Sequence, residues 1–245
     1  MPELPEVEVM TRQLARRLRG RNIRRVEVRD PKLGLSPSAL VGRRIQRIRR
    51  RAKFIILNLD GDRHLLVHLR MTGWFVFRPP PQYRVAIHTT GATAYFTDSR
   101  RFGRMCVVDD AGLRHALADL GPEPLTGGCD LSRLAGSARA IKVALLDQRL
   151  VAGIGNIYAS ESLWRARLHP RRRACRLRVA ELRRLRLAIT RTLRQAIAWG
   201  EAIFDNYGAL AVYDRAGRPC RRCGQAIRRI VQQQRSTYFC PSCQH

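Results

Sequence analysis

Four cysteines within the last 26 residues constrain the fold of this chain more than any other feature. Cys220 and Cys223 in CRRC, and Cys240 and Cys243 in CPSC, make two Cys-x2-Cys pairs with 16 residues between them. Two such pairs can point four thiolates at one centre, which is the ligand set of a closed, tetrahedral structural zinc site. Two redox pairs are the competing reading, but the flanking sequence has no βαβ context. The intervening GQAIRRIVQQQRSTYF alternates as a β-hairpin does, and it carries Arg228, Arg229 and Arg235. One structural Zn2+ ion pinning a small C-terminal finger is therefore expected. Cys106, Cys129 and Cys175 stand alone and read as small buried residues.

The charge of the chain narrows the partners such a finger could serve. Forty-seven basic residues against 19 acidic ones give a formal net charge of +28 over 245 residues. So much self-repulsion calls for a polyanion, with nucleic acid ahead of an anionic membrane or a ribosomal surface. A hydrophobic share of 45% supports real cores and excludes a disordered basic tail. No apolar run reaches the roughly 18 residues of a spanning helix, and MPELPEVEVM lacks the charged start and apolar core of a signal peptide. A soluble intracellular protein is expected. Only Lys32, Lys53 and Lys142 are lysines. The arginine excess is first of all the mark of a GC-rich genome.

Hydrophobic periodicity divides the chain. Val7, Met10, Leu14 and Leu18 fall at helical spacing between Leu4 and Arg19, with Pro5, Glu6 and Glu8 suited to the first turns and Gly20 as the stop. From Ile23 to Val108 the texture changes to short alternating or apolar runs such as KFIILNL, HLLVHLR and RVAIHTT, which predict an antiparallel sandwich or barrel. PEPLTGG at 122–128 reads as a linker. Beyond it, Ala140–Gln148 and Ile157–Arg165 flank VAGIGN, a helix, turns, helix unit in which Gly153 and Gly155 let the backbone approach something closely. A further helix is expected from about Glu181 to Trp199, with a leucine-rich stripe facing a core and arginines on the other side. The fold class is α+β and multidomain. Its expected parts are an N-terminal β-sandwich with flanking helices (1–118), a helical domain (119–208) and a C-terminal zinc-finger β-hairpin (209–245).

Pro2 is followed directly by Glu3. Removal of Met1 would leave a terminal secondary amine, whose pKa lies near the α-amino value of about 8 and so below that of lysine. Such an amine can attack an electrophilic carbon such as C1′ of a deoxyribose and form an iminium ion, with Glu3 and Glu6 placed for proton transfers.

MPELPEVE at the start, DSRRFG at 98–103, LLDQRLVAGIGNIYASESLW at 145–164 and the terminal VYDRAGRPCRRCG and QRSTYFCPSCQ together resemble the formamidopyrimidine-DNA glycosylase family over the whole chain. The resemblance implies a β-sandwich, a helix-two-turns-helix domain and a zinc finger. It also implies a bifunctional enzyme of base-excision repair that removes oxidised purines such as 8-oxoguanine and formamidopyrimidines, then nicks the abasic strand by β,δ-elimination. The partner implied is damaged double-stranded DNA, with no membrane, and the protein a cytoplasmic, nucleoid-associated bacterial monomer. Pro2 matches the Schiff-base nucleophile, Glu3 the acid for the sugar ring oxygen and Glu6 its supporting carboxylate. Lys53 matches the basic residue assisting β-elimination, and Arg235 a phosphate ligand that also assists the δ step.

The resemblance further assigns Met71 and Phe102 to the wedge that fills the gap behind a flipped nucleotide, and Arg100 to a hydrogen bond with the widowed cytosine. Without the motif, Met71 and Phe102 read as sandwich core. Arg101, Lys142 and Asn156 resemble the set that grips phosphates. Two of the three lysines thus stand at motif positions, where an ammonium can exchange a proton that a guanidinium would keep.

This sequence departs from the family at four places. Gln82 stands where a histidine is frequent, Ala138 where a basic residue is usual (with Arg139 beside it), and Arg70 where glycine is common. The stretch from Phe204 to Tyr213 is short, where the family commonly has a longer loop that closes over 8-oxoguanine. An endonuclease VIII-like preference for oxidised pyrimidines is the alternative within the superfamily. A catalytically inactive zinc-finger protein that binds damaged DNA is the alternative from another class.

Overall fold

The computed structural model describes residues 2–126 and 129–245, so Gly127 and Gly128 of the expected linker lie outside the described residues. The chain forms two compact units. Of the described residues, one holds Pro2 and Glu6–Ala118, the other Glu3–Pro5 and those between Asp119 and His245.

Helix α1 (Leu4–Leu18), which belongs to the first unit from Glu6 on, has Glu6 in its first turn and Arg16 and Arg17 in its last, each sign opposing the helix dipole. Gly20, at φ +79, ends it. Two four-stranded antiparallel sheets follow. One has the order β1 (Ile23–Val28), β6 (Val85–Thr89), β7 (Thr93–Thr97), β5 (Trp74–Val76). The other has β2 (Ile45–Arg51), β3 (Phe54–Leu59), β4 (Arg63–His68), β8 (Arg104–Asp109). Alternate residues of both sheets, including Val26, Ile87, Phe96, Ile55, Leu57, Leu65 and Val67, meet Val7, Met10, Leu14 and Leu18 of α1 in one core. The continuous apolar run of β3 has a second cause. Ile56 faces away from that core and packs with Leu66 and with Leu113 of helix α2 (Asp110–Leu117), so both faces of the strand are covered.

The second unit is helical. Helices α3 (Ser132–Ala135) and α4 (Ile141–Leu146) precede α5 (Asn156–Arg165) and α6 (Val179–Ala198). On α6, Leu185, Ala188, Ile189, Leu193 and Ala196 are buried while Arg183, Arg184, Arg191 and Arg194 are exposed, as the stripe predicts. Between α4 and α5, the Gln148 amide group donates to the carbonyls of Leu146 and Ile154 and accepts the N–H of Gly153, which closes the two turns. Strands β9 (Arg228–Gln232) and β10 (Arg235–Phe239) form the hairpin. Its two-residue loop, Gln233 and Gln234, has φ of +46 and +59, the left-handed pair that a tight hairpin demands, reached here without asparagine or glycine.

Two expectations need correction. The described part of the expected linker, residues 122–126, is not free, and neither is Gly121 just before it. Gly121 donates to Gln148, Pro122 accepts from Ala152, and Pro124 accepts from the Thr190 hydroxyl, so this stretch is stitched to the helical unit. Cys129 is buried, but Cys106 and Cys175 are exposed. Cys106 follows the inward Met105 on β8, and strand alternation turns it outward.

Candidate active site and metal centre

Glu3 is built into the second unit. Its carboxylate is almost fully buried and accepts the backbone N–H groups of Gly155 (2.8 Å), Ile157 (2.9 Å) and Tyr158 (3.3 Å) at the first turn of α5. The helix has no side-chain cap of its own, so an acid from the far end of the sequence satisfies its orphan donors. This explains the glycines of VAGIGN. A Cβ at Gly155 would overlap the Glu3 carboxyl, and one at Gly153, which sits at φ +85, would overlap Leu4. Leu4 also donates its N–H to the Gly153 carbonyl at 3.1 Å.

Next to this cap, Lys142 is fully buried. Its ammonium donates to Asn156 Oδ1 (2.6 Å), Thr237 Oγ1 (2.7 Å) and the Ser236 carbonyl (3.0 Å). Asn156 Nδ2 donates to the same Ser236 carbonyl at 3.0 Å. Three N–H bonds therefore meet three protein acceptors, and the lysine ties α4, α5 and β10 together. Burial pushes its pKa down to about 8, with the Arg235 charge acting in the same direction and Glu3 against it. Arg235, at the start of β10, is exposed.

The sulfurs of Cys220, Cys223, Cys240 and Cys243 all lie within 4.8 Å of one another, and Cys223 and Cys240 are 3.5 Å apart. Four zinc–thiolate bonds of about 2.3 Å in a tetrahedron place sulfurs about 3.8 Å apart, so the cluster fits one Zn2+ ion. Trp164 of α5 donates Nε1–H to Cys220 Sγ at 3.4 Å. Its ring lies 4.3 Å beneath the Arg222 guanidinium, which fastens the finger to the helices.

The first unit holds the other candidates. Pro2 is buried ahead of α1, and Met1 lies outside the described residues. Glu6 is fully buried on α1, and Lys53 is buried in the two-residue turn between β2 and β3, after Ala52 at φ +50. Met71 and Phe102 are 38% and 51% exposed, which removes the core reading for both. Met71 sits on the turn after β4, and Phe102 on the segment between β7 and β8. Thr72 joins the two: its hydroxyl accepts the Arg100 N–H at 3.1 Å and donates to the Asp98 carboxylate. The Arg100 guanidinium lies 4.8 Å from the Phe102 ring centre.

A buried ion network braces this segment. Arg84 donates Nε–H to Asp30 (2.7 Å), and its Nη1 donates to Asp98 (2.8 Å) and to the Gly103 carbonyl (3.0 Å). Asp98 accepts the Gly103 N–H at 2.6 Å. Arg101, at φ +57, closes on Asp30 through two N–H groups at 2.6 and 3.1 Å. Arg101 and Arg84 hold the Asp30 carboxyl far below the usual carboxylate range. Arg101 is thus committed to a carboxylate in this conformation, while Arg100 is presented outward. Gln82, Arg29, Arg84 and Arg101 line a cavity of about 430 Å³ beside the network.

Three residues outside the sequence reading stand out. Arg84 and Asp30 carried no local signal, because their partners are 14 to 71 positions away. Glu161 did sit in the quoted motif. It is buried on α5 and accepts the N–H groups of Ala211, Val212 and Tyr213, each at 2.8 Å, while burial pushes its pKa up. It anchors the end of the short 204–213 stretch.

A double-sheet unit presenting exposed apolar and cationic side chains, followed by a helical unit with a four-thiolate hairpin, defines a zinc-finger protein of the type that handles nucleic acid. Three family models cover the chain: the formamidopyrimidine-DNA glycosylase N-terminal domain over residues 1–105, its H2TH domain over 120–207 and a zinc finger found in FPG and IleRS over 217–245. The formamidopyrimidine-DNA glycosylases of Chloroflexus aurantiacus and Thermus thermophilus are 43% and 42% identical, each comparison covering 100% of this chain and 98% of the relative. The crystal structure of MutM (Fpg) from Thermus thermophilus matches with a TM-score of 0.90 at 42% identity, over 99% of this chain and 98% of that one. A Lactococcus lactis Fpg complex with DNA containing an abasic site matches with a TM-score of 0.91 at 32% identity, over 99% of each chain. The chain belongs to the formamidopyrimidine-DNA glycosylase family, and it is an enzyme of that class with one structural zinc site.

Among the described residues no helix is long and apolar enough to cross a membrane.

Proposed function

We propose that the protein removes oxidised purines from duplex DNA and cleaves the resulting abasic strand through an iminium intermediate on Pro2. The single observation that carries this is Glu3. The residue following Pro2 is not a loose N-terminal acid but a buried carboxylate gripped by three N–H groups of α5. A nucleophile one peptide bond away is thereby held at a fixed point.

In the first step the Pro2 nitrogen attacks C1′ and the bond to the damaged base breaks, Glu3 acting at the ring oxygen as it opens. Loss of a proton from C2′ and departure of the 3′ phosphate follow as β-elimination, assisted by Lys53. A second elimination, assisted by Arg235, releases the 5′ phosphate. Lys142, with its donors used internally, acts as a positioning residue for Asn156 and the hairpin. Met71 and Phe102 fill the vacated stack while Arg100 bonds the unpaired cytosine. The zinc holds the finger that carries Arg235. Cytoplasmic residence on the nucleoid follows from the substrate.

Alignments with the two relatives run to 263 and 272 positions against 245 residues here, so the relatives carry segments this chain lacks. That leaves oxidised pyrimidines as the second reading for the substrate. Borohydride trapping on duplexes containing 8-oxoguanine, a formamidopyrimidine or thymine glycol separates the two. Covalent adducts are expected on the purine lesions; adducts on thymine glycol alone would overturn the purine assignment.

A further inference from the structure

A metal site is held by the groups around its ligands as well as by the ligands, and one of the four sulfurs here is set apart by what touches it. Cys220, Cys240 and Cys243 are buried, while Cys223 is exposed. Four thiolates around one doubly charged ion leave negative charge over, and in a largely buried cluster donors from the protein have to meet it. Cys220 Sγ receives two: the indole Nε1–H of Trp164 at 3.4 Å and the backbone N–H of Arg222 at 3.4 Å. The backbone donor comes with the Cys-x2-Cys turn itself. The indole is brought in by α5, 56 positions away in the sequence.

Packing alone does not explain how Trp164 is turned. Its half-buried ring covers the small core of the finger, which includes Cys220, Ile227, Cys240 and Cys243, and any large apolar side chain would do the same. At a half-buried position the indole N–H could be left to water; here it is aimed at sulfur. Arg222 fixes that aim. Its guanidinium lies 4.3 Å from the ring centre, and its Nη1 donates to the Trp164 carbonyl at 3.3 Å. That carbonyl belongs to the last turn of α5, where a cation also meets the helix dipole. Trp164, Arg222 and Cys220 thus close a ring of contacts in which each holds the other two.

We propose that Trp164 is a positioning residue of the zinc centre, its indole N–H drawing charge from the Cys220 thiolate and so slowing loss of the metal. This goes beyond the glycosylase reading and does not depend on it, since it needs only the ion on four thiolates. A hydrogen bond onto a metal-bound sulfur lowers the energy of its lone pairs and offsets the excess negative charge of the cluster. Without it the cluster loses a compensating donor and the sulfur a fixed orientation, and zinc escapes faster. Strands β9 and β10 lie between the two cysteine pairs, so retention of the metal decides how long the hairpin, with Arg235 on it, keeps its shape.

The test compares the full-length wild type with Trp164→Phe and Arg222→Ala. Phenylalanine keeps a ring under Arg222 and removes the N–H; Arg222→Ala keeps the indole N–H and the backbone donor. Zinc transfer to a chelating dye is timed, and the sulfur-to-metal charge-transfer band is recorded on protein loaded with Co2+. Trp164→Phe should release zinc about tenfold faster, the low end of the roughly 10–100-fold effect of removing a group that supports a metal ligand, and its band should move to lower energy. Arg222→Ala should leave the band in place. Unchanged or slower release from Trp164→Phe would overturn the proposal. So would faster release with an unshifted band, or an equal shift in Arg222→Ala, because shape and not the N–H would then be holding the metal. A measurement on the unaltered protein covers a variant that does not fold. Loaded with a spin-active cadmium isotope, the wild type should show scalar coupling between the metal and the indole proton assigned to Trp164, and no such coupling to the other two of its three tryptophans. Absence of the Trp164 coupling would overturn the proposal by itself.

Discussion

Arg100 and Lys142 both stand at motif positions, and the structure uses their charges in opposite ways. Arg100 is on a segment held from behind by buried ion pairs, Arg84 with Asp30 and Asp98, while its own guanidinium faces out over Phe102. Lys142 is enclosed, with every ammonium hydrogen on a protein acceptor. The sandwich unit spends buried charge to present other charges; the helical unit uses it to join its own elements. A cation at a motif position is therefore not by itself evidence of contact with DNA. What it touches decides.

This difference can be broken experimentally. The largest effect should come from the finger. Removing the zinc, or Cys240→Ser, should unfold the hairpin, since in small zinc modules metal binding supplies the folding free energy. Loss of hairpin amide protection in hydrogen exchange, with the sandwich amides unchanged, is the expected readout, and DNA affinity should fall with it. Next comes Arg84→Met, which leaves Asp98 buried without its ion-pair partner and Asp30 with Arg101 alone, and should cost about 3–5 kcal/mol in denaturant unfolding. A cost under about 1 kcal/mol would mean that the network does not brace the 98–103 segment.

Lys142 offers a smaller, pH-dependent effect. Its pKa in the folded protein, about 8, lies below the ordinary value of 10.5. Between those values the unfolded chain binds the proton that the folded chain has released, so stability should rise as pH increases from about 8 to about 10.5. That rise should vanish in Lys142→Met. The smallest stability effects belong to Met71→Ala and Phe102→Ala. Exposed as these side chains are, each should change unfolding free energy by no more than about 0.5 kcal/mol while weakening binding to the abasic-site duplex. A loss of several kcal/mol in either would return that side chain to the core.

Much of this was legible in the sequence, for identifiable reasons. The zinc cluster depends on ligand spacing, which the sequence displays directly. The sandwich follows from period-two alternation, and α6 from its leucine stripe. Gly153 and Gly155 signalled a close approach, though only the structure shows that Leu4 and Glu3 are what approaches. The Arg84 network was invisible, because no local pattern announces a pairing between residues just after β1, just before β6 and in the loop after β7. The exposure of Cys175 likewise depends on how an irregular stretch folds, on which periodicity is silent. Residues 122–128 read as a linker because proline and glycine mark turns without saying whether the turn is docked.

The central claim is that the reacting amine is that of Pro2. The direct measurement is to trap the protein with borohydride on an abasic-site duplex, digest the adduct and locate the modified residue by mass spectrometry. The account predicts a deoxyribose-derived adduct on a peptide beginning at Pro2, with Met1 removed, and no adduct from Pro2→Gly. An adduct mapped to Lys53, or full trapping by Pro2→Gly, would contradict it.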